Sequence, residues 1–222
     1  MRESGGPRVD CQIKASDGRT LSFADYGKNS DLAVLCCHGG PGSRMEPMRN
    51  AERASGAEFR LIGIDRPGYG DTTPLPGRSI ADWTGDALTI ADHLGIEKFF
   101  LQGTSTGGGY ALATASVAPK RALGVLVCCG MTDMRWANEV DKARMIGAMT
   151  IWNAPDRDTA IAIAIEQFGE EGEKMLEPDS GAPPPLSPPD MAVIMDPEFM
   201  AADPDNSRFA QGVIGYVDDR FA

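Results

Sequence analysis

The sequence predicts an α/β fold built on a mostly parallel sheet. Strand-like and helix-like segments alternate through residues 1–130. The strand-like runs at the centre, such as Leu32-Ala33-Val34-Leu35-Cys36-Cys37, are continuously apolar, the pattern of strands covered on both faces. A strand–helix–strand order closes with right-handed crossovers, which lay successive strands parallel.

Residues 8–14 and 20–26 read as two strands joined by Ser16-Asp17-Gly18-Arg19, good hairpin chemistry. Their partial alternation of apolar and polar residues suits an antiparallel pair at a sheet edge. The run 32–37 is a buried strand that stops at His38-Gly39-Gly40-Pro41-Gly42-Ser43-Arg44. Glycines there let the backbone approach a neighbour closely, and Pro41 fixes the chain direction. Residues 59–64 form another buried strand, followed by the turn-rich Asp65-Arg66-Pro67-Gly68-Tyr69-Gly70-Asp71-Thr72. Asp65 and Arg66 are expected to hold loops together rather than do chemistry. Residues 79–94 read as a helix, with Ser79 as N-cap and Trp83, Ala87, Ile90, Ala91 and Leu94 on one face. Gly95 ends it, and His93 sits near that end. Residues 98–102 are a short buried strand, 110–115 an Ala/Leu-rich helix that stops by Pro119, and 122–129 a last buried strand.

Between the strand at 98–102 and the helix at 110–115 stands Gly103-Thr104-Ser105-Thr106-Gly107, a G-x-S-x-G. A strand that turns abruptly into a helix forces the residue at the bend into strained dihedrals. Small neighbours at positions 103 and 107 relieve the crowding. The bend exposes the Ser105 hydroxyl at a helix N-terminus, where free N–H groups and the dipole favour an anion. Ser105 is therefore a candidate nucleophile. The N–H of Thr106 and the N–H of Gly40, carried by the Gly-Gly-Pro loop, are candidate donors to an oxyanion.

His38-Gly39-Gly40-Pro41-Gly42-Ser43, Asp65-Arg66-Pro67-Gly68-Tyr69-Gly70 and Gly103-Thr104-Ser105-Thr106-Gly107-Gly108, in this order, resemble the α/β-hydrolase fold superfamily over residues 8–130. The resemblance implies an eight-stranded, mostly parallel sheet, a mobile cap after the sixth strand, and a Ser–His–Asp/Glu triad working through an acyl-enzyme. The His-Gly-Gly-Pro-Gly loop is similar to that of proline iminopeptidases, although Thr106 stands where those have tryptophan. Ser105 argues against the epoxide hydrolases and haloalkane dehalogenases of this fold, whose nucleophile is Asp. A cofactor-free haloperoxidase or a carbon–carbon hydrolase stays open.

On this reading residues 1–130 are the N-terminal part of the core, holding strands one to six, and 131–222 a helical cap. Residues 133–150 and 156–168 read as helices, 177–189 as a Pro-rich extended loop, and Ser187-Pro188 and Asp196-Pro197 as starts of short helices. Met134, Met145, Met149, Met191, Met195 and Met200 either form an apolar wall over the pocket or fill the cap's own core.

A serine hydroxyl needs a base. The sequence has two histidines, His38 and His93. One is expected to be tied to its loop and the other to lie far down a helix. Asp133 follows the sixth strand, where some members of the superfamily keep the acid, and is the candidate acid. Strands seven and eight are missing, which would leave 124–129 as an open apolar edge. The chain is thus expected to be a fragment or truncated product, or to take its missing strands from another chain. The predicted activity is a serine hydrolase acting on a carboxylic ester or amide, incomplete in this chain. The alternative is a non-catalytic hydrolase-fold binding protein or an inactive truncated product.

A formal net charge of −11 disfavours nucleic acid and anionic membranes as partners. The polar N-terminus is unlike a signal peptide, and no apolar run is long enough to span a bilayer. Of the five cysteines, Cys36-Cys37 and Cys128-Cys129 are adjacent pairs at strand ends, read as small buried hydrophobes rather than ligands or disulfides. A cytoplasmic setting follows. A small-molecule substrate is expected, with no metal and no organic cofactor. Nothing in the sequence sets an oligomeric state.

Overall fold

The apolar runs of the first half pair into one six-stranded sheet with the order β1-β2-β4-β3-β5-β6. This computed structural model describes residues 7–27, 30, 32–48, 59–131, 151–176, 187–194 and 208–222. β1 (Arg8–Lys14) and β2 (Thr20–Asp25) form the predicted antiparallel hairpin, and β2 runs antiparallel to β4 (Arg60–Ile64). From there the pairing is parallel. β3 (Ala33–Cys37) lies between β4 and β5 (Phe99–Thr104), and β6 (Ala122–Cys128) lies outside β5.

Helix α1 (Ile80–His93) starts where the sequence places it. The Ser79 hydroxyl accepts from the Asp82 N–H, and the Asp82 carboxylate accepts from the Ser79 N–H at 2.7 Å, a reciprocal cap. Its buried face packs beside α2 (Gly107–Val117) on one side of the sheet. Side chains alternate between faces along a strand. Leu35, Ile62, Phe99 and Leu101 therefore meet Trp83 and Tyr110 beneath the two helices. The opposite face presents Val34, Leu61, Phe100 and Leu126 to an open cavity of about 770 Å³.

Residues 122–129 read as a buried strand by composition and as an open apolar edge when the strands are counted, and the structure shows the open edge. Among the described residues β6 pairs with β5 alone, and Leu123 and Leu126 are 48% and 59% exposed. A purely apolar run reads the same whether or not a neighbour covers it. The burial expected of Cys128 and Cys129 fails for that reason: both are exposed, whereas Cys36 and Cys37 are buried. All five cysteines are free. The sheet holds six strands, and no seventh or eighth occurs among the described residues.

The second half contributes α3 (Arg157–Phe168), the short α4 (Pro188–Ile194) and α5 (Ile214–Phe221). Asp156 caps α3 by accepting from the Thr159 N–H at 2.8 Å. Ala160 and Ala164 of α3 and Val217 of α5 join Ile151, Phe209 and Val213 in a second apolar cluster, apart from the one under the sheet. Met191 is half-buried on α4. The helices predicted over 133–150 and at Asp196-Pro197 lie outside the described residues, as do the other five methionines of the predicted wall. No described helix is long and apolar enough to cross a membrane.

Trp83 is fully buried, with its ring edge-on to Tyr110 at 5.3 Å. Its indole N–H has no hydrogen-bond acceptor among the described residues. Trp83→Ala should cost about 3–5 kcal/mol through the void it leaves. Trp83→Phe should cost distinctly less, because it also removes a buried donor worth about 1–3 kcal/mol when unpaired. Urea unfolding of both variants measures the difference.

Candidate active site

The chain leaves β3 toward β4 on one side of the sheet and returns to β5 on the other. The two connections diverge between β3 and β5 and open a crevice at their carboxyl ends, where ligands bind in open α/β sheets. Register aligns that crevice, because Cys37 stands opposite Gly103. The His38–Gly42 loop and the bend at Ser105 thus leave the sheet side by side.

Ser105 has φ of 51°, in the left-handed region that L-residues with a side chain avoid. Such a residue stores about 1–3 kcal/mol and persists only where its surroundings over-determine it. They do so here. The Ser105 N–H donates to Cys128 O at 2.9 Å, and Ser105 O accepts from the N–H of Gly108 at 3.0 Å and of Met131 at 3.1 Å. A Cβ at Gly103 would strike the Gly107 carbonyl, and one at Gly107 would strike the carbonyl oxygens of Cys37 and His38. Both glycines are required by the closeness of helix α2 to β3 and β5.

The Gly-Gly-Pro loop lies against the bend. A methyl group added at Gly39 would sit 3.8 Å from Ser105 Cβ, and one at Gly40 would sit 3.0 Å from Thr106 Oγ1. The peptide groups at the start of the loop are paired. The Gly39 N–H donates to Glu46 Oε2 at 2.7 Å, and Gly39 O lies 2.6 Å from His38 Nδ1. The N–H groups of Gly40 and Thr106 form no hydrogen bond among the described residues, and neither does the Ser105 hydroxyl. The three groups singled out from the sequence are therefore adjacent and unengaged.

The two histidines are engaged elsewhere. His38 is buried, with Nδ1 on Gly39 O and Nε2 accepting from the Arg66 N–H at 3.2 Å. Nδ1 carries the proton in this arrangement and Nε2 none, so the ring is neutral. Burial, then the nearby Arg66 charge, pushes its pKa well below the usual imidazole range. His93 is exposed at the end of α1, edge-on to Phe23 at 6.3 Å. That Phe23 lies on β2, three places along the sheet from β5, the strand that leads into Ser105. Asp133 lies outside the described residues.

Three residues at the site carried no functional signal in the sequence. Glu46 holds the loop as described. Tyr216 of α5 packs on Gly40, where a Cβ would come within 3.2 Å of its ring, and its hydroxyl accepts from Trp152 Nε1 at 3.0 Å. Asp219 of α5 is buried and receives Arg66 Nη2 at 2.7 Å and Arg78 Nη2 at 2.6 Å. Asp65 and Arg66 hold loops, as predicted. Asp65 accepts from the Arg44 N–H, from Arg44 Nη1 and from Ser22 Oγ. Arg66 is 0% exposed and donates to the carbonyls of His38 and Gly39. No group of His, Cys, Asp and Glu fit to hold a metal occurs among the described residues.

Residues 33–152 match the model of the alpha/beta hydrolase fold, and the chain belongs to that family. It is 31% identical over 125 residues to a proline iminopeptidase of Arabidopsis thaliana, covering 54% of this chain and 32% of that one. It is 32% identical over 114 residues to a 2-hydroxy-6-oxononadienedioate/2-hydroxy-6-oxononatrienedioate hydrolase of Pseudomonas putida, covering 50% of this chain and 36% of the other. The chain thus spans about a third of the length of these curated relatives. Among solved structures, one from a study of carboxylesterases of Nitrososphaera gargenis superposes with a TM-score of 0.64 at 17% identity, covering 95% of this chain and 70% of that one. At that identity the likeness is one of fold.

Two outcomes are expected. Gly107→Ala should lose well over the usual 1–3 kcal/mol of overpacking, because the obstacle is backbone. Gly109→Ala, whose Cβ would meet only Ile80 Cδ1 at 3.7 Å, should gain about 0.5–1 kcal/mol of helix propensity. Thermal unfolding of the pair checks this. For His38, the unfolded chain takes up a proton near the usual pKa of about 6.5 and the folded chain only well below it. The stability due to neutral His38 is complete above that value and is lost as pH falls toward the folded pKa. The thermal midpoint should therefore drop between about pH 7 and 5, and His38→Gln should flatten the slope.

Proposed function

We propose that the crevice between β3 and β5 is the nucleophile and oxyanion side of a hydrolase site acting on a carboxylic ester or amide. Ser105 Oγ attacks the carbonyl carbon, and the N–H groups of Gly40 and Thr106 take the developing oxyanion. Loss of the alcohol or amine leaves an acyl-enzyme, which water then hydrolyses. The carrying observation is the left-handed Ser105 beside two unpaired amides. The proton acceptor is an imidazole other than His38, whose two ring nitrogens are both hydrogen-bonded, and His93, whose ring stands against Phe23 of β2. Asp133 remains the candidate acid. Residues 131–222 act as the cap, with Tyr216 and Trp152 near the oxyanion loop. The esterase and peptidase names of relatives favour ester or amide chemistry in general, and the substrate would be a small molecule. The engaged histidines favour a second reading, a hydrolase-fold binding protein that carries out no turnover.

A fluorophosphonate decides between them. Expected is a slow covalent adduct at Ser105, found by mass spectrometry, hastened by imidazole in the buffer and absent in Ser105→Ala. Imidazole should substitute for the missing base, because on this reading the serine already lies beside its donors. No adduct at Ser105 with or without imidazole would leave the binding protein.

A further inference from the structure

We propose that Arg66 is the residue that aims the Gly40 N–H into the crevice, and that Asp219 holds it there. This rests on reading Gly40 as an oxyanion donor. In a trans peptide the C=O and the following N–H point in opposite directions. Fixing one end of a peptide plane fixes the other. The His38–Gly39 plane is held at both ends, its carbonyl by Arg66 Nη1 and its N–H by Glu46 Oε2. The Gly39–Gly40 plane is held at one end only. Gly39 O takes Arg66 Nη2 at 2.8 Å and faces His38 Nδ1 at 2.6 Å. The opposite end, the Gly40 N–H, is unpaired among the described residues. Two glycines in succession have little preference of their own, so these hydrogen bonds set the orientation.

The geometry of the guanidinium matters as much as its charge. Its planar fork reaches two successive carbonyls, which a lysine ammonium on a flexible stem does not reproduce. Arg66 is itself held rigidly. Its Nε and Nη2 donate to Asp219, and its Cζ lies over the rings of Tyr69 and Tyr110, 5.1 and 4.8 Å from their centroids. Both tyrosine hydroxyls donate to Asp219 at 2.8 Å, as does Arg78 Nη2 at 2.6 Å. Asp219 lies on α5, the helix whose Tyr216 packs on Gly40. A buried ion pair serving stability alone would have no need to engage both carbonyls of this loop. Arg66 and Asp219 are thus positioning residues, and they connect the last helix of the chain to the oxyanion loop.

The test uses the full chain with ¹⁵N-glycine. In the wild type, the Gly40 amide should exchange with solvent freely while the Gly39 amide is protected; a protected Gly40 amide would overturn the proposal without any variant. In Arg66→Lys and in the isosteric Asp219→Asn, the Gly40 ¹⁵N resonance, which senses the hydrogen bond on the preceding carbonyl, should shift, while glycines remote from the loop, such as Gly85 and Gly95, hold theirs. An unmoved Gly40, or a shift spread evenly over all glycines, would refute the positioning role. The maximal rate of Ser105 phosphonylation should fall at least about tenfold, part of the 10²–10³ of a lost oxyanion donor, at unchanged half-saturation. A wild-type rate in a variant whose Gly40 has shifted would also refute it. If the wild type forms no adduct at all, the hydrolase reading fails, and the glycine resonances still decide the role of Arg66.

Discussion

The first turn of α2 runs so close to the end of β3 that position 107 has no room for a side chain, and the candidate site is arranged around that contact. A Cβ there would collide with the carbonyls of Cys37 and His38. Parallel pairing of β3 with β5 brings the two chain ends level, with Cys37 opposite Gly103. The helix can then follow β5 without an intervening loop only if a single residue makes the whole turn. That residue is Ser105, and its left-handed backbone is the consequence. The strain is local, and the hydrogen bonds to Cys128, Gly108 and Met131 restrain it from three sides. Position of the hydroxyl, orientation of the Thr106 amide and proximity of the Gly-Gly-Pro loop all follow from one close packing of backbone on backbone.

Behind that loop the protein buries an unusual amount of charge. Arg66, Arg78 and Asp219 are each at most 6% exposed, and none reaches water with its charged end. Burial by itself would raise the Asp219 carboxyl, but the facing Arg66 and Arg78 charges overcome it and hold the group below the usual carboxylate range. Such clusters contribute little net stability compared with apolar packing, yet removing one partner costs about 3–5 kcal/mol because the remaining charge is stranded. They are therefore poor filler and exacting geometry. Asp219 is sequence-distant from both arginines, so the cluster ties the α5 helix to the loops beside the sheet, and the second half of the chain is anchored where the first half presents Ser105.

Most of the sheet was legible because its signals are local. Residues 8–14, 32–37 and 98–102 announce strands by composition and the turns that bound them, and Ser79 announces α1 by its cap. The bend at Ser105 was legible because Gly103 and Gly107 mark a steric requirement at fixed spacing. What stayed hidden was pairwise. An apolar run such as 122–129 does not state how many neighbours it will have; its open edge was legible only from the count of strands, and the burial of Cys128 and Cys129 was misjudged. Arg66 was recognised as structural from its turn-rich surroundings, but its partner lies 153 residues away and no short-range pattern could name Asp219. Tyr216 escaped notice for the same reason, whereas Glu46 lies only seven residues from Gly39 but belongs to no motif.

The commitment of His38 sharpens the chemistry rather than merely subtracting a base. Held neutral, with its Nδ1–H on Gly39 O, it adds no charge to the loop and stands beside Arg66 as a second donor to that carbonyl. Donors on a carbonyl polarise the whole peptide, and the N–H at its far end becomes more acidic and a stronger donor in turn. The far end here is Gly40. A protonated His38 would instead place a second cation beside the buried Arg66, which burial and repulsion together oppose. The same arrangement that denies Ser105 this imidazole therefore strengthens the Gly40 amide as a donor, and the two roles are exclusive at one histidine.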